Sequence, residues 1–260
     1  MISRLVRVGT VTRRVALRPR EFVRVSGPDA EDFLQRMVSN DVTTAPCQAL
    51  LLTPKARVIA PVVVVRRSED DFLLLTEPGL GEAVQSTLLR ARFAAKVEIE
   101  PEKHRSVVVF GEDRGIPNRE YGEPASELLD EDVEPTLPDE ELERLRIEAG
   151  TPAWGKEIDD SILPAEARLP ETHVSFTKGC YPGQEPIARL HYRGKVNRQL
   201  RVLEVDSAEP GDEVRLGEKV VGRVTSAVSG LALAYVRTEV PGNAELAVGR
   251  DRKTGRTLVT

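Results

Sequence analysis

From Leu200 to Val248 the chain is a series of short apolar segments, each cut off by glycine or a proline–glycine pair. The segments are 200–205, 213–216, 220–225, 231–236 and 245–248, and the stops are Pro210-Gly211, Gly217, Gly230, Pro241-Gly242 and Gly249. None is long enough for a stable helix, and the turn signals recur at hairpin spacing. Such segments bury their apolar faces by closing on one another. A small antiparallel β-barrel over 196–260 is the expected result.

The first 195 residues have a different rhythm. Residues 21–25 predict a strand, and Ser26-Gly27-Pro28-Asp29 a helix start. Ala30, Phe33, Leu34, Met37 and Val38 then recur at the spacing of one buried helical face. Further strands are expected over 50–53, 58–65, 71–76, 97–99 and 106–110, with a helix after Pro78-Gly79 carrying Leu80, Val84, Leu88 and Leu89. Pro61 points to a sheet edge or a bulge, because proline cannot donate to a ladder. The pattern predicts an α+β region, 1–195, of two intertwined subdomains with helices on one sheet face. Within it the acidic stretch 112–138, with four prolines, predicts a surface loop whose charges face solvent. A helix over 139–149 follows, stopped by Gly150 and Pro152.

Charge narrows the function classes. A net charge of -5 carries no footprint of a general nucleic-acid binder, although Arg189, Arg193, Lys195, Arg198 and Arg201 share one short stretch. With three histidines and no C-x-x-C pair, no metal site is expected, and His104, His173 and His191 are assigned to packing or surface. Met1–Arg7 lacks the apolar run of a signal peptide, and no segment has transmembrane length. Cys47 and Cys180 are accordingly expected as reduced thiols of a cytoplasmic protein.

The densest chemistry lies in Lys178-Gly179-Cys180-Tyr181-Pro182-Gly183-Gln184-Glu185. Pro-Gly marks a turn, and Gln184 to Leu190 predicts a short helix with Glu185 and Pro186 in its first turn. A thiol just before a helix N-terminus and close to a lysine experiences positive potential, which favours the thiolate. The octet resembles the K-G-C-F/Y-x-G-Q-E signature of the YgfZ family of folate-binding proteins, relatives of the glycine-cleavage T-protein (an aminomethyltransferase).

Three other stretches are similar to that family. They are Phe33-Leu34-Gln35 with Ser39-Asn40-Asp41-Val42, then Arg146 to Gly150 with Trp154-Gly155 and Glu157, and Gly222 to Ser226 with Leu231 to Arg237. The resemblance implies a ring of small domains around a folate pocket, with a ferredoxin-like unit and the C-terminal barrel. It also implies tetrahydrofolate or a one-carbon derivative as ligand, with Glu148 on the pteridine donors through its two acceptor oxygens. Trp154 is open to two assignments, a core filler or a stacking partner for a flat ligand. Cys180 and Lys178 are the expected functional centre, and Tyr181, Gln184, Glu185 and Arg189 complete the expected folate contacts.

The implied work is that of an accessory protein for iron–sulfur cluster assembly or repair, in some family members for tRNA-modifying enzymes. Partners would be the client or assembly proteins. A folate-dependent aminomethyltransferase is the alternative, and a thiol enzyme or redox sensor using Cys180 alone is a third. T-proteins carry an essential acid where this chain has Ala60-Pro61, and neither residue can transfer a proton. Aminomethyl transfer is therefore not expected.

Overall fold

The computed structural model describes residues 13–249 and 253–257, so the Met1–Arg7 stretch lies outside the described residues. Strands run in three sheets. The first has five antiparallel strands in the order Cys47–Leu52, Val58–Ser68, Asp71–Thr76, Glu21–Ser26, Glu98–Glu102. Without its edge strand Cys47–Leu52 it is a ferredoxin-like split β-α-β sheet, its two crossovers made by the helices Ala30–Met37 and Gly81–Ala91.

Alternation along these strands explains why both faces are buried. Val23, Val25, Val62, Val64, Phe72 and Leu74 face the two helices. Their neighbours Phe22, Leu73 and Leu75 face Ile116 on the second sheet. Pro61 sits on an interior strand, not an edge. It is tolerated because the ladder to Asp71–Thr76 begins only at Val62, and the register shifts two residues earlier, opposite Leu51 and Leu52. Its carbonyl accepts from Thr76 Oγ1 at 2.8 Å.

The second sheet orders Val15–Leu17, Ser106–Phe110, Ala125–Leu129 and Ile116–Asn118. Two of these strands come from the stretch expected to be a solvated loop, and that expectation fails for an electrostatic reason. Glu127 is 2% exposed and Arg20 has a side-chain exposure of 3%. Arg20 bridges Glu77, Glu120 and Glu127 at 2.7, 2.6 and 3.1 Å, and Arg18 binds Glu77 and Glu120 at 2.6 and 2.8 Å. The acids of this stretch answer arginines far upstream, so local composition hides their burial. Burial alone would raise the Glu120 carboxyl, yet Arg20 and Arg18 outweigh it and hold the group far below the usual carboxylate range.

The third sheet is a closed barrel, ordered Arg198–Val205, Leu231–Arg237, Lys219–Val228, Glu213–Leu216, Glu245–Val248, Lys253–Thr257. Its interior is filled by Leu203, Val214, Val224, Ala234, Val236 and Leu246. Helix Asp139–Glu148 leads from the second sheet towards the barrel, packing Leu142 and Leu145 on Val108 and Phe110. Its Ile147 enters a separate junction cluster with Leu50 and Leu52 of the first sheet, Ile158, Leu169, Tyr181 and Ile187, and Leu233 and Tyr235 of the barrel. Among the described residues no helix is long and apolar enough to cross a membrane.

One charged group pins this junction. Arg146 donates to Glu157 at 3.0 Å, to Glu143 at 2.6 Å and to Ser226 Oγ of the barrel at 2.9 Å. Ser226 Oγ donates in turn to Glu157 at 2.6 Å, and Tyr235 Oη to the Glu157 carbonyl at 2.7 Å. Breaking such a pair from one side leaves the other charge buried alone. Arg146→Met is therefore expected to cost about 3–5 kcal/mol, read as a lowered urea midpoint. A loss below about 1 kcal/mol would mean that Glu157 finds water or another partner.

Candidate functional site

The octet is built as a strap across the junction. Gly183 caps helix Gln184–Arg193 in the left-handed region at φ 84, and a Cβ there would come within 2.7 Å of the Thr53 carbonyl oxygen. Only glycine meets both demands. Tyr181 and Ile187 on either side are buried in the junction cluster. Burial pushes the Tyr181 phenol up to about 12, so it stays protonated.

The strap is held at its other end by the Ser39-Asn40-Asp41 stretch. Ser39 Oγ donates to the His173 carbonyl at 2.6 Å, and the Ser39 carbonyl accepts from Ser175 N at 3.0 Å. Asn40 Nδ2 donates to the Gln48 and Thr172 carbonyls at 2.7 and 3.3 Å. Asp41 Oδ1 accepts from Gln35 Nε2 and Thr43 N, both at 3.0 Å, which fixes the turn. Gln35, Ser39, Asn40 and Asp41 thus make a cradle, a task the sequence pattern did not disclose.

Lys178 closes this arrangement, and here an expectation is corrected. Its Nζ donates to the carbonyls of Val38 and Asn40 at 2.8 and 2.6 Å and lies 5.5 Å from the centre of the Tyr181 ring. The charge is committed to the cradle, where it interacts with Asp41 and Cys47. Burial lowers the ammonium to about 8, with Asp41 pulling the other way. The two thiols live in different surroundings. Cys180 is exposed, whereas Cys47 is partly buried, donates to the Asp41 carbonyl at 3.4 Å, and is pushed up to about 11 by burial.

Of the other expected contacts, Gln184 is half-buried while Glu185 and Arg189 are exposed on the helix. Trp154 is half-buried between the first-sheet core and the junction cluster, and it lines a cavity of about 350 Å³. Around that cavity stand Pro61 and Val62 of the first sheet, Arg18, Glu77 and Glu120 of the ion-pair cluster, and His173. Helix Asp139–Glu148 turns Asp139, Leu142, Glu143 and Arg146 towards it, at i, i+3, i+4 and i+7. Glu148 is exposed, about half a turn round the helix from that face. The structure thus brings Trp154 to the cavity and leaves Glu148, Glu185 and Arg189 outside it.

His173 was assigned to packing or surface, and no spacing signalled its place on a cavity wall. Enclosure pushes its imidazole down to about 4, against a smaller upward pull from Glu120, so the ring is neutral at pH 7. Its Nδ1 is 2.7 Å from Thr172 Oγ1.

Comparison with known proteins places this arrangement among relatives. Residues 196–257 match the C-terminal β-barrel domain of CAF17. The chain is 31% identical over 235 residues to an uncharacterised protein of Haemophilus influenzae, covering 83% of this chain and 84% of that one. It is 26% identical over 272 residues to the mouse mitochondrial iron–sulfur cluster assembly factor IBA57, with coverage of 85% and 76%. It is 35% identical over 127 residues to the tRNA-modifying protein YgfZ of Edwardsiella ictaluri, with coverage of 44% and 38%. The glycine cleavage system aminomethyltransferase T of Bartonella henselae has a TM-score of 0.75 over 93% of this chain and 83% of its own, at 18% identity. At that identity the likeness is one of fold.

Two outcomes follow from the site. Iodoacetamide at pH 8 should label Cys180 and spare Cys47, of which about a thousandth is thiolate when its pKa is about 11. Equal labelling, read by mass at each cysteine, would show that Cys47 is as accessible as Cys180. The second outcome concerns pH. The unfolded chain takes up a proton on His173 near 6.5 and the folded chain only near 4. The stability His173 supplies is therefore complete above 6.5 and is lost as pH falls towards 4. Urea midpoints at pH 7 and 4.5 should show a His173-dependent loss on the order of 1–3 kcal/mol, absent in His173→Gln. The same loss in the variant would assign it to other groups.

Proposed function

Because this chain belongs to the YgfZ/CAF17 family, which is related to the glycine-cleavage T-protein, we propose that it is a folate-binding accessory protein for iron–sulfur cluster assembly or repair. The observation that carries the folate part is the cavity at the meeting of the two α+β sheets and helix Asp139–Glu148. Its volume of about 350 Å³ is within the range of small-molecule sites. Trp154 offers a flat face to a pterin ring. Glu77 and Glu143 also line the cavity, each already accepting three hydrogen bonds and keeping room for one more donor of the ring. A bound folate would supply or hold a one-carbon group, and the residues of this chain would position its ring.

The iron–sulfur part is supported by the names of the relatives and by an exposed thiol held on a rigid strap. Clients would be assembly factors or cluster-bearing enzymes, tRNA-modifying ones among them, in a reducing cytoplasm that keeps both cysteines free. Aminomethyl transfer is disfavoured at the place where the family's enzymes carry their acid, since Ala60 is buried in the first-sheet core and Pro61 lines the cavity.

Calorimetric titration with tetrahydrofolate tests the reading. Wild type should bind and transfer no aminomethyl carbon above the buffer rate. Trp154→Ala should bind more weakly by about two- to tenfold or more, the stacking contribution. Glu148→Gln should change little if the ring lies in the cavity. A ten- to hundredfold loss in that variant would instead place the ring on Glu148, the contact the family resemblance implies. No binding by wild type would remove folate altogether. Cys180→Ser should bind folate normally yet fail to restore iron–sulfur enzyme activity in cells lacking the protein, and full restoration would make the thiol dispensable.

A further inference from the structure

Beyond the strap, helix Gln184–Arg193 carries a second feature that folate binding does not use. At its C-terminal end three rings meet, Phe176 half-buried and His191 and Tyr192 exposed. Phe176 stacks on His191 with centroids 3.9 Å apart and planes 21° from parallel. Tyr192 stands edge-on to His191 at 4.8 Å and 82° and is 68% exposed. An aromatic group of this size is normally covered, because each ring buries 150–250 Å² when packed. Here the junction cluster takes Ile187 and one side of Phe176, while His191 and Tyr192 stay exposed.

The same surface is cationic. Arg189, Arg193 and Lys195 are exposed, and among the described residues none of the three makes an ion pair. Other arginines, such as Arg14, Arg24, Arg67 and Arg215, do meet carboxylates. Arg189 and Arg193 are one helical turn apart with Tyr192 between them. Glu185, a further turn back, bounds the patch on that side. Beside His191 and Lys195 opens a cavity of about 340 Å³ walled by Pro164, Pro186, Leu190 and Val196, an apolar slot that admits a planar ring.

We propose that this face binds a short single-stranded nucleic-acid segment, bases stacking on Tyr192 and His191 and phosphates meeting Arg189, Arg193 and Lys195. Alternating ring faces and point cations match alternating bases and phosphates. An acidic peptide would satisfy the cations and leave the ring faces unused, so it fits less of the surface. Three free cations are too few to track a duplex, and the net charge of -5 works against extended backbone contact. The site is local, in keeping with a chain that is no general nucleic-acid binder, and it stands independently of folate.

The test is fluorescence anisotropy with fluorescein-labelled twelve-nucleotide oligouridine RNA and the matching DNA at low salt. Binding should weaken with salt at a log–log slope of about -2, from three cations at about -0.7 each on a single strand. Tyr192→Ala should weaken binding by about 5- to 150-fold, and Arg193→Ala should reduce the slope by about 0.7. Arg215→Ala, remote on the barrel and ion-paired there, should change neither. Tighter binding of RNA than DNA would assign the site to RNA, and the reverse to DNA. No binding at low salt overturns the proposal. So does a Tyr192→Ala variant that binds like wild type, and polyglutamate competing as well as oligouridine would then reassign the patch to an acidic peptide. Circular dichroism of Tyr192→Ala separates lost stacking from lost folding, and Tyr192→Phe, which keeps the ring, should restore binding.

Discussion

The junction between helix Asp139–Glu148, the loop after it and the barrel depends on a guanidinium taken out of water. Arg146 has a side-chain exposure of 9% and Glu157 of 0%. Removing two such charges from solvent is costly, and their attraction compensates only where the remaining donors and acceptors are also satisfied. The structure meets that condition. Arg146 spreads its donors over Glu143, Glu157, Ser226 and the Thr151 carbonyl, while Glu157 also accepts from Ala153 N. The partners come from the helix, from the loop after it and from the barrel. A slip of any one would leave a buried charge unpaired, so the network selects one relative arrangement over its neighbours. Trp154 lies within that loop, and the cavity wall it forms is held by the same network.

The octet follows the same division between holding and presenting. Tyr181, Gly183 and Ile187 are committed to packing, and Lys178 to the cradle carbonyls. What remains free on the strap is Cys180, with Glu185 and Arg189 on the solvent side of the helix. A thiol presented on so anchored a loop costs little entropy to position when a partner arrives. The basic and aromatic surface lies at the far end of the same short helix, whose inner face closes the junction through Ile187.

Much of this architecture was legible because its causes are local. The barrel followed from strand length and turn spacing, and the helix at Ala30–Met37 from one apolar face. In the octet the turn was legible from Pro182-Gly183, and the function only from the resemblance to the YgfZ signature. What stayed hidden was held by distant partners. Nothing near Glu127 announces that Arg20, Ser106 and Asn118 will surround it. The 112–138 stretch therefore looked like solvated acid. The outward direction of Glu148 was hidden for a different reason. Its place in the last turn was anticipated correctly, but which side of a helix faces a cavity depends on what packs against it. Leu142 and Leu145 settle that by docking on the second sheet.

The two cysteines show how far environment can separate identical groups. Cys47 opens the edge strand beside the cradle, with an ammonium close by that should favour its thiolate, yet desolvation outweighs that charge. Desolvation likewise draws Lys178 towards neutrality, against the upward pull first of Asp41 and then of Cys47. The attraction between Lys178 and Cys47 is real but smaller than the hydration it would have to replace. The pair therefore favours its neutral thiol, and the lysine serves as a hydrogen-bond donor to Val38 and Asn40. Cys180, by contrast, is exposed on the strap. The packing that buries Cys47 belongs to the same cradle that holds the strap in place.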